Sequence, residues 1–343
     1  MNNRVTIADI AQAAGVSPST VSRALNNQAG IPEGTRHKIQ QIAADLHYRP
    51  DVRARNFRLQ RSQTVATLLP YQDASRRPIS DPFYLEIVGA ITDELDHHGY
   101  DSLIARVHVE NDEWCSRYVL DKRVDGILLI DRAVEDAGIR TLQALGANFV
   151  VWGAEVAGQD YVSVGCDGVA GARDAVRHLV EIGRRRIGFI GGFERMVETD
   201  ARRRGYILGM NEAGLPVNER LMLFTDFTPE AGGQAVQTLL ERAPDLDAVF
   251  ACSDFLAVGV IETLRQQGRT VPDDVSVIGY DDIPLAAYYS PRLSTIHQPI
   301  QEGGRLMAQK LLALIDGEKT ESAVLVHRLV IRDSSTHSLL IDK

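Results

Sequence analysis

The chain of 343 residues is 44% hydrophobic, enough apolar material to bury a large core in two or three domains and to exclude a disordered or fibrous protein. No 18 apolar residues follow one another, and MNNRVTIADI carries no apolar run of signal-peptide length, so membrane spanning and export are not expected and the chain reads as cytoplasmic. The net charge of −9 argues against nucleic acid as a partner, but residues 1–62 hold 9 Lys/Arg against 4 Asp/Glu while the rest holds 28 against 42, the distribution of a phosphate-seeking head on an acidic body.

Thr6-Ile7-Ala8-Asp9 has the spacing of a capping box. It predicts a helix whose apolar positions Ile7, Ile10, Ala11 and Ala14 keep a 3.6-residue period, stopped by Gly15 in a left-handed conformation. Ser17 and Pro18 restart a helix as N-cap and first position, with Val21, Ala24 and Leu25 on its inner face. A third amphipathic helix begins near Pro32, with Ile39, Ile42, Ala43 and Leu46 facing inward. Two helices joined by a tight glycine turn make a helix-turn-helix, in which Ala11 must be small where the second helix crosses it and Val21 fills the space between the two. Residues 1–48 are therefore expected to form an all-α DNA-binding domain.

If the second helix enters the major groove, its outward residues Pro18, Ser19 and Arg23 meet base edges. Arg23 can pair bidentately with a guanine, Ser19 discriminates weakly, and Pro18 offers only apolar contact. Thr6, Ser17, Thr20, Ser22, Asn26 and Thr35 carry small polar groups suited to phosphate contact and register. Next, residues 49–62 crowd Arg49, Arg53, Arg55, Arg58 and Arg61 into a segment that repels itself and is expected to order only on a polyanion.

VTIADIAQAAGVSPSTVSRALNN resembles the N-terminal signature of the LacI/GalR family along its whole length, and Tyr48-x-Pro50 with Ala54 follows where that family has its hinge. The resemblance implies a homodimeric regulator on a palindromic double-stranded operator, with Arg53 and Arg55 on DNA. The family usually places a leucine three residues beyond that alanine, as a wedge into the minor groove. Here the position is Phe57, itself an apolar wedge type; Leu59 is the competing wedge, and packing against the core the competing role for Phe57.

From Thr64 onward, apolar strand-like runs alternate with helical patterns: TVATLLP, helix 83–98, YDSLIARV, helix 111–121, GILLI, helix 135–145, NFVVWG. A second series follows with helix 168–182, RRIGFIGG, helix 200–213, LMLFTDF, helix 229–242, DAVFACSD, helix 255–266 and VSVIGYDD. Continuous apolar strands between helices predict buried parallel sheets, so the fold class is α/β: two doubly wound subdomains behind the helical head. The effector-binding core is expected over residues 63–343, with an N-lobe of about 63–165 plus about 299–325 and a C-lobe of about 166–298 plus a C-terminal strand. Such a core is similar to periplasmic sugar-binding proteins, which close around a ligand between lobes.

Ligands of such sheets bind outside the strands' carboxyl ends, which selects Asp73, Trp152, Asp167, Phe227, Ser253, Asp254 and Asp281. An isolated aspartate there also suits a helix N-cap, and Asp254 before Phe-Leu-Ala has that look. The family resemblance assigns effector contacts to Arg202, three residues before Gly205-Tyr206; to Asp281 in Gly279-Tyr280-Asp281-Asp282; to Phe227 after Asp226; to Asp167; and to the N-lobe pair Phe83-Tyr84. Ser253 stands where many members have Asn, and Met196 where purine-binding members have Arg, which argues against a purine. Carboxylates, an arginine and aromatic faces suit a neutral polyhydroxyl ligand, so a sugar is the expected effector. The competing role for Arg202 is a salt bridge with Glu198.

No GxSxG, GxxxxGK[ST], HExxH or dinucleotide fingerprint occurs, so no enzyme and no cofactor are expected. Cys115, Cys166 and Cys252 show neither CxxC nor Cys/His ligand spacing, which fits neither disulfide framework nor metal site. The competing readings are an exported sugar-binding transport protein, which would not need a basic head, and a regulator answering to a non-sugar effector. Between repressor and activator, the family resemblance implies a repressor. Dimerisation is expected through the C-lobe, around helix 255–266 and Tyr288-Tyr289-Ser290-Pro291, without a leucine heptad for a tetramerising tail.

Overall fold

The computed structural model describes residues 5–48, 61–71, 77–109, 111–133, 136–156 and 158–336. The chain divides into two compact units, residues 1–62 and 63–343. In the first, α1 (Ile7–Ala14), α2 (Pro18–Leu25) and α3 (Glu33–Asp45) follow in turn. Thr6 and Asp9 close the capping box, with Thr6 N donating to Asp9 Oδ2 at 2.8 Å. Gly15 ends α1 at φ 72°, a backbone conformation that costs glycine nothing. Ser17 Oγ accepts from Thr20 N at 3.2 Å and Pro18 opens α2. Ile10, Val21, Ala24 and Ile39 are wholly buried where the three helices meet. Leu46, expected to face inward, is exposed, because α3 ends at Asp45 and the side chain at its C-cap has left the inner face.

The second unit runs β1 (Thr64–Tyr71), α4 (Pro82–His97), β2 (Asp101–His108), α5 (Glu113–Cys115) continued in π geometry over Ser116–Leu120, β3 (Gly126–Leu129), α6 (Ala137–Ala144), β4 (Phe149–Trp152) and β5 (Val162–Cys166). It then passes into α7 (Gly168–Glu181), β6 (Ile187–Gly191), α8 (Val197–Glu212), β7 (Met222–Phe224), α9 (Pro229–Arg242), β8 (Ala248–Ala251), α10 (Asp254–Gln266), β9 (Ser276–Asp281), α11 (Pro284–Tyr288) and β10 (Ser294–His297). Finally α12 (Ile300–Ile315) leads to β11 (Ala323–Leu325) and β12 (Arg328–Val330). One six-stranded sheet has the order β11-β5-β4-β3-β1-β2, the other β12-β10-β9-β8-β6-β7. All pairings are parallel except that of β12 with β10. This is the doubly wound α/β architecture in two lobes, each around its own apolar core.

The chain crosses between lobes three times: after β5, between β10 and α12, and between β11 and β12. Several bounds differ from the sequence expectation. The helix expected from 200 begins at Val197, because Met196 makes no side-chain cap that would mark the start. The expected helix 111–121 is α5 and its π turn. Strands β5 and β10 and helix α12 form in segments where the alternation of apolar runs assigned no element.

Asp254 is not the N-cap its sequence context suggests. Ser253 caps α10, its Oγ accepting from Leu256 N at 3.1 Å. Asp254, wholly buried, accepts instead from Ile283 N at 2.8 Å and Thr295 Oγ1 at 2.5 Å, fastening α10 to the ends of β9 and β10. Burial raises its pKa well above the ordinary carboxyl range, so the site favours a neutral side chain. Asp254→Ala strands both donors and is expected to lower unfolding free energy by about 1–3 kcal/mol, whereas Asp254→Asn keeps an acceptor in place and loses less than half as much. Urea denaturation of the two variants compares them.

Candidate functional site

On the head, Ser17, Pro18 and Ser19 are exposed together at the start of α2. Ser17 Oγ lies 2.8 Å from Ser19 Oγ and 2.9 Å from Thr20 Oγ1, so the cap, the expected base reader Ser19 and the expected phosphate contact Thr20 share one hydroxyl cluster at the helix N-terminus. Arg23, exposed in the last turn of α2, donates Nη2–H to Ala29 O at 2.8 Å. That bond tethers one arm of the fork to the following loop and holds the side chain against α2. Asn26 donates to Ser22 O at 2.7 Å, Thr35 is half-buried in the first turn of α3, and the Thr6 hydroxyl donates to Asp9 Oδ2 at 2.8 Å. Arg53, Arg55, Phe57 and its competitor Leu59 lie outside the described residues, as does Asp73.

In the core, the chosen residues other than Ser253 collect where the carboxyl ends of the two sheets face each other, but in two compartments. The first is aromatic and nearly full. Phe83 and Tyr84 enter on the first turn of α4, and Phe227 follows β7. Between them lies the guanidinium of Arg77, its Cζ 4.9, 4.6 and 4.3 Å from the ring centroids of Phe83, Tyr84 and Phe227. Arg77 donates Nε–H and Nη2–H to Asp81 at 2.6 and 3.0 Å, with Asp131 Oδ2 3.8 Å from Nη1. Tyr84 OH donates to the same Asp131 oxygen at 2.5 Å. About 10 Å³ of free space remains there, bordered also by Met196. The three expected stacking residues thus cover an arginine of their own chain.

The second compartment is a polar cavity of about 290 Å³ lined by Arg132, Trp152, Asp167, Glu198, Arg202 and Gln298 among others. Arg202, on α8, lies 3.5 Å from Asp281 Oδ1, donates Nη1–H to Cys252 O at 2.5 Å and stacks 3.8 Å from the Tyr280 ring centroid. The salt bridge to Glu198 weighed for Arg202 does not form; Glu198 faces Arg132, Nε to Oε1 3.6 Å. Asp281 also accepts from Gln298 Nε2 at 2.8 Å and adopts φ 112°, a strained backbone for a non-glycine residue. Asp167 is exposed and caps α7, its Oδ1 accepting from Val169 N and Ala170 N at 2.9 and 3.0 Å, so it borders the cavity with one oxygen already engaged. Ser253 is spent on capping α10 and lines neither compartment. Trp152, buried at the end of β4, borders both.

The cavity wall holds unmet hydrogen-bonding capacity. Both Glu198 oxygens, Arg132 Nε and Arg202 Nε are buried without a hydrogen-bond partner among the described residues, a cost that native structures accept mainly where something else binds. Gly153 makes room for the carboxylate: a Cβ on it would meet Glu198 Oε1. Arg77, Asp81, Arg132 and Glu198 were not singled out as site residues. Asp131-Arg132 follow directly on GILLI, so the strand-end rule that selected Trp152 also reaches them. Glu198 was hidden by the late start assigned to its helix.

Burial pushes the Glu198 carboxyl up to about 7, opposed by the Arg132 charge and assisted by that of Asp131; burial likewise lifts Asp281 to about 6 against the pull of Arg202. A carboxyl whose folded pKa is raised binds its proton more tightly in the folded chain, so its contribution to stability falls as pH rises from about 4.5 through 7. Glu198→Gln is therefore expected to gain stability relative to the parent chain between pH 5.5 and pH 8, by on the order of 2 kcal/mol. Urea unfolding at the two pH values measures it; an unchanged difference would show that Glu198 titrates as an ordinary carboxylate.

Among the described residues no helix is long and apolar enough to cross a membrane, and no group of His, Cys, Asp and Glu could hold a metal ion. Residues 6–51 match the family described as bacterial regulatory proteins, lacI family, and residues 176–335 the periplasmic binding protein-like domain. The HTH-type transcriptional regulator CelR of Thermobifida fusca is 35% identical over 337 residues, covering 96% of this chain and 98% of that protein. The HTH-type transcriptional repressor CytR of Escherichia coli (strain K12) is 34% identical over 336 residues, covering 96% of each. The solved structure of the transcriptional regulator CelR–cellobiose complex aligns with a TM-score of 0.71 at 33% identity, over 97% of this chain and 100% of that one. The lac repressor dimer bound to operator and the anti-inducer ONPF shares the fold with a TM-score of 0.85 at 24% identity, over 97% and 99%.

Proposed function

From the premise that this chain belongs to the lacI family of bacterial regulatory proteins and is a DNA-binding transcription regulator, we propose that a sugar bound between the lobes of its core sets the operator affinity of the head, and that the chain acts as a cytoplasmic, homodimeric repressor. The observation that carries the effector reading is the polar cavity itself. Its wall is drawn from both lobes, Arg132 and Trp152 from one, Glu198 and Arg202 from the other. A ligand can shift a conformational equilibrium only by binding one state better than the other, and a ligand spanning the two lobes does so. The complex of the CelR relative with cellobiose supports the ligand class.

For the head, the hydroxyl cluster of Ser17, Ser19 and Thr20 suits phosphate and base-edge contact, and Arg23 is the proposed guanine reader once its tether to Ala29 is exchanged for the base. Thr6, Ser22, Asn26 and Thr35 fix register, while Arg53, Arg55 and Phe57 act in the hinge. Two-fold pairing suits palindromic operators, and Leu285 with the 87%-exposed Tyr288 on α11 supplies an apolar face for a C-lobe dimer contact.

Selection of bound genomic fragments, followed by a screen of sugars for release, tests the whole reading. Arg23→Ala is expected to cost about 1–3 kcal/mol at one base pair per half-site; a uniform loss across all sequences would make Arg23 a phosphate contact. In calorimetry on the full chain, Arg202→Ala and Asp281→Ala are each expected to weaken sugar binding at least tenfold. Binding of a nucleobase and of no sugar would overturn the ligand class, and undiminished affinity in both variants would overturn the site.

A further inference from the structure

The two compartments differ in what fills them, and this bears on which sugar the cleft accepts. The aromatic compartment presents the Phe83, Tyr84 and Phe227 rings together with the Asp81 and Asp131 carboxylates. Three rings and two carboxylates around one planar group form a cation cage, and its occupant is the chain's own Arg77, 5% exposed and held bidentately by Asp81. The rings lie where aromatic faces would cover the apolar side of a saccharide ring, yet each is covered by the guanidinium at under 5 Å. Of the two, the neighbouring cavity holds nearly all the free space, about 290 against about 10 Å³, and its wall carries the unpartnered atoms of Arg132 together with those of Glu198 and Arg202, which border both compartments.

That cavity, about 290 Å³, falls just below the range of roughly 300–1,000 Å³ common for small-molecule sites. Its lining carries three arginines, Arg132, Arg202 and Arg204, against three carboxylates, Glu155, Asp167 and Glu198. With Glu198 raised to about 7 these charges nearly balance at neutral pH, which gives little net attraction to a phosphate, a sugar acid or an amine. The orphaned atoms are of both kinds, the Glu198 oxygens as acceptors and the Arg132 and Arg202 Nε–H groups as donors, which matches hydroxyls that both give and accept hydrogen bonds.

Resting on the sugar reading above, we infer that Arg77 is a specificity-determining residue: it fills the aromatic compartment, excludes a second saccharide ring from it, and restricts the effector to a neutral single-ring sugar in the polar cavity, with its hydroxyls on Glu198, Arg132 and Arg202. Arg77 does this from outside the polar cavity, by occupying the adjoining space.

Calorimetry on the full chain tests it with glucose, galactose, mannose, xylose and fructose against cellobiose, maltose and lactose. The parent chain is expected to bind a monosaccharide at least tenfold more tightly than any of the disaccharides, and Arg77→Ala to gain at least tenfold for a disaccharide. Removing Arg77 leaves Asp81 buried without its partner, so Arg77→Lys provides a second variant. It keeps the charge opposite Asp81 without the flat face and is expected to gain at least threefold. A parent chain that prefers a disaccharide, or folded variants without any disaccharide gain, overturns the inference. If no sugar binds any of the three proteins, the sugar reading itself has failed, and methylguanidinium then decides the role of Arg77. Saturable millimolar binding to Arg77→Ala, absent from the parent chain and from a sodium chloride control, upholds Arg77 as a resident occupant; no binding overturns that too.

Discussion

Packing charged side chains where the two lobes meet is the constraint that organises the core. An ion taken from water costs several kcal/mol unless a close partner and further hydrogen bonds compensate. The pairs meet this cost unequally. Arg77 with Asp81 lies within the N-lobe as a bidentate contact at 2.6 and 3.0 Å, and Arg202 with Asp281 lies within the C-lobe, reinforced by Cys252 O and Gln298. Only Arg132 with Glu198 spans the lobes, and it is the loose one: 3.6 Å, without a hydrogen bond, with both Glu198 oxygens unmet. Because the better-satisfied pairs stay within their lobes, separating the lobes strands neither. The interlobe ion pair is thus the weakest of the three, while Val197 N donating to Arg132 O at 3.2 Å and the stacking of Arg77 on Phe227 also join the lobes.

The chain's three crossings converge on the same place. The first passes Cys166 and Asp167, which line the cavity; the second carries Gln298, which donates to Asp281. At the C-lobe edge Asp282, itself at φ 59°, pairs with Arg332 at 2.7 Å and His297 at 3.0 Å, tying the last turn of β9 to β10 and to the segment after the third crossing. Rotation of one lobe against the other has to be absorbed in these connections. The strained backbone at Asp281 and Asp282 sits beside them, so a ligand that alters the Asp281 contacts acts directly on the connecting segments.

What could be read in the sequence follows from how local each cause is. The head was legible nearly throughout because its determinants are neighbours: Thr6 with Asp9, Gly15, and Ser17 before Pro18 each act within four residues. The sheets were legible as apolar runs, but β5 was not, since its Gly165 is needed where a Cβ would collide with the Gly153 backbone, and a glycine in a short run reads as loop. Arg202, Asp281 and Trp152 were selected from strand ends and family resemblance, and the fold brings them to the two compartments. The Arg77 occupancy was not, because it joins Asp81, Asp131 and Phe227 across 150 residues, and nothing local marks an arginine as bound for an aromatic cage. Ser253 and Asp254 exchanged roles for a similar reason: either can cap a helix, and only the long-range donors Ile283 N and Thr295 Oγ1 decide which one does.

The unmet atoms also set the scale of the switch. A buried polar group without a partner costs about 1–3 kcal/mol, and Glu198, Arg132 and Arg202 carry atoms in the cavity wall that no protein group among the described residues satisfies. A polyhydroxyl ligand that supplies those partners from both lobes at once favours the arrangement in which it reaches both. Coupling between sites in regulatory proteins is typically about 1–3 kcal/mol, so one or two of these atoms satisfied only in the closed state are enough. Glu198 faces Arg132 from the opposite lobe, so it is the side chain of the cavity wall whose partners depend most directly on how the lobes stand to each other.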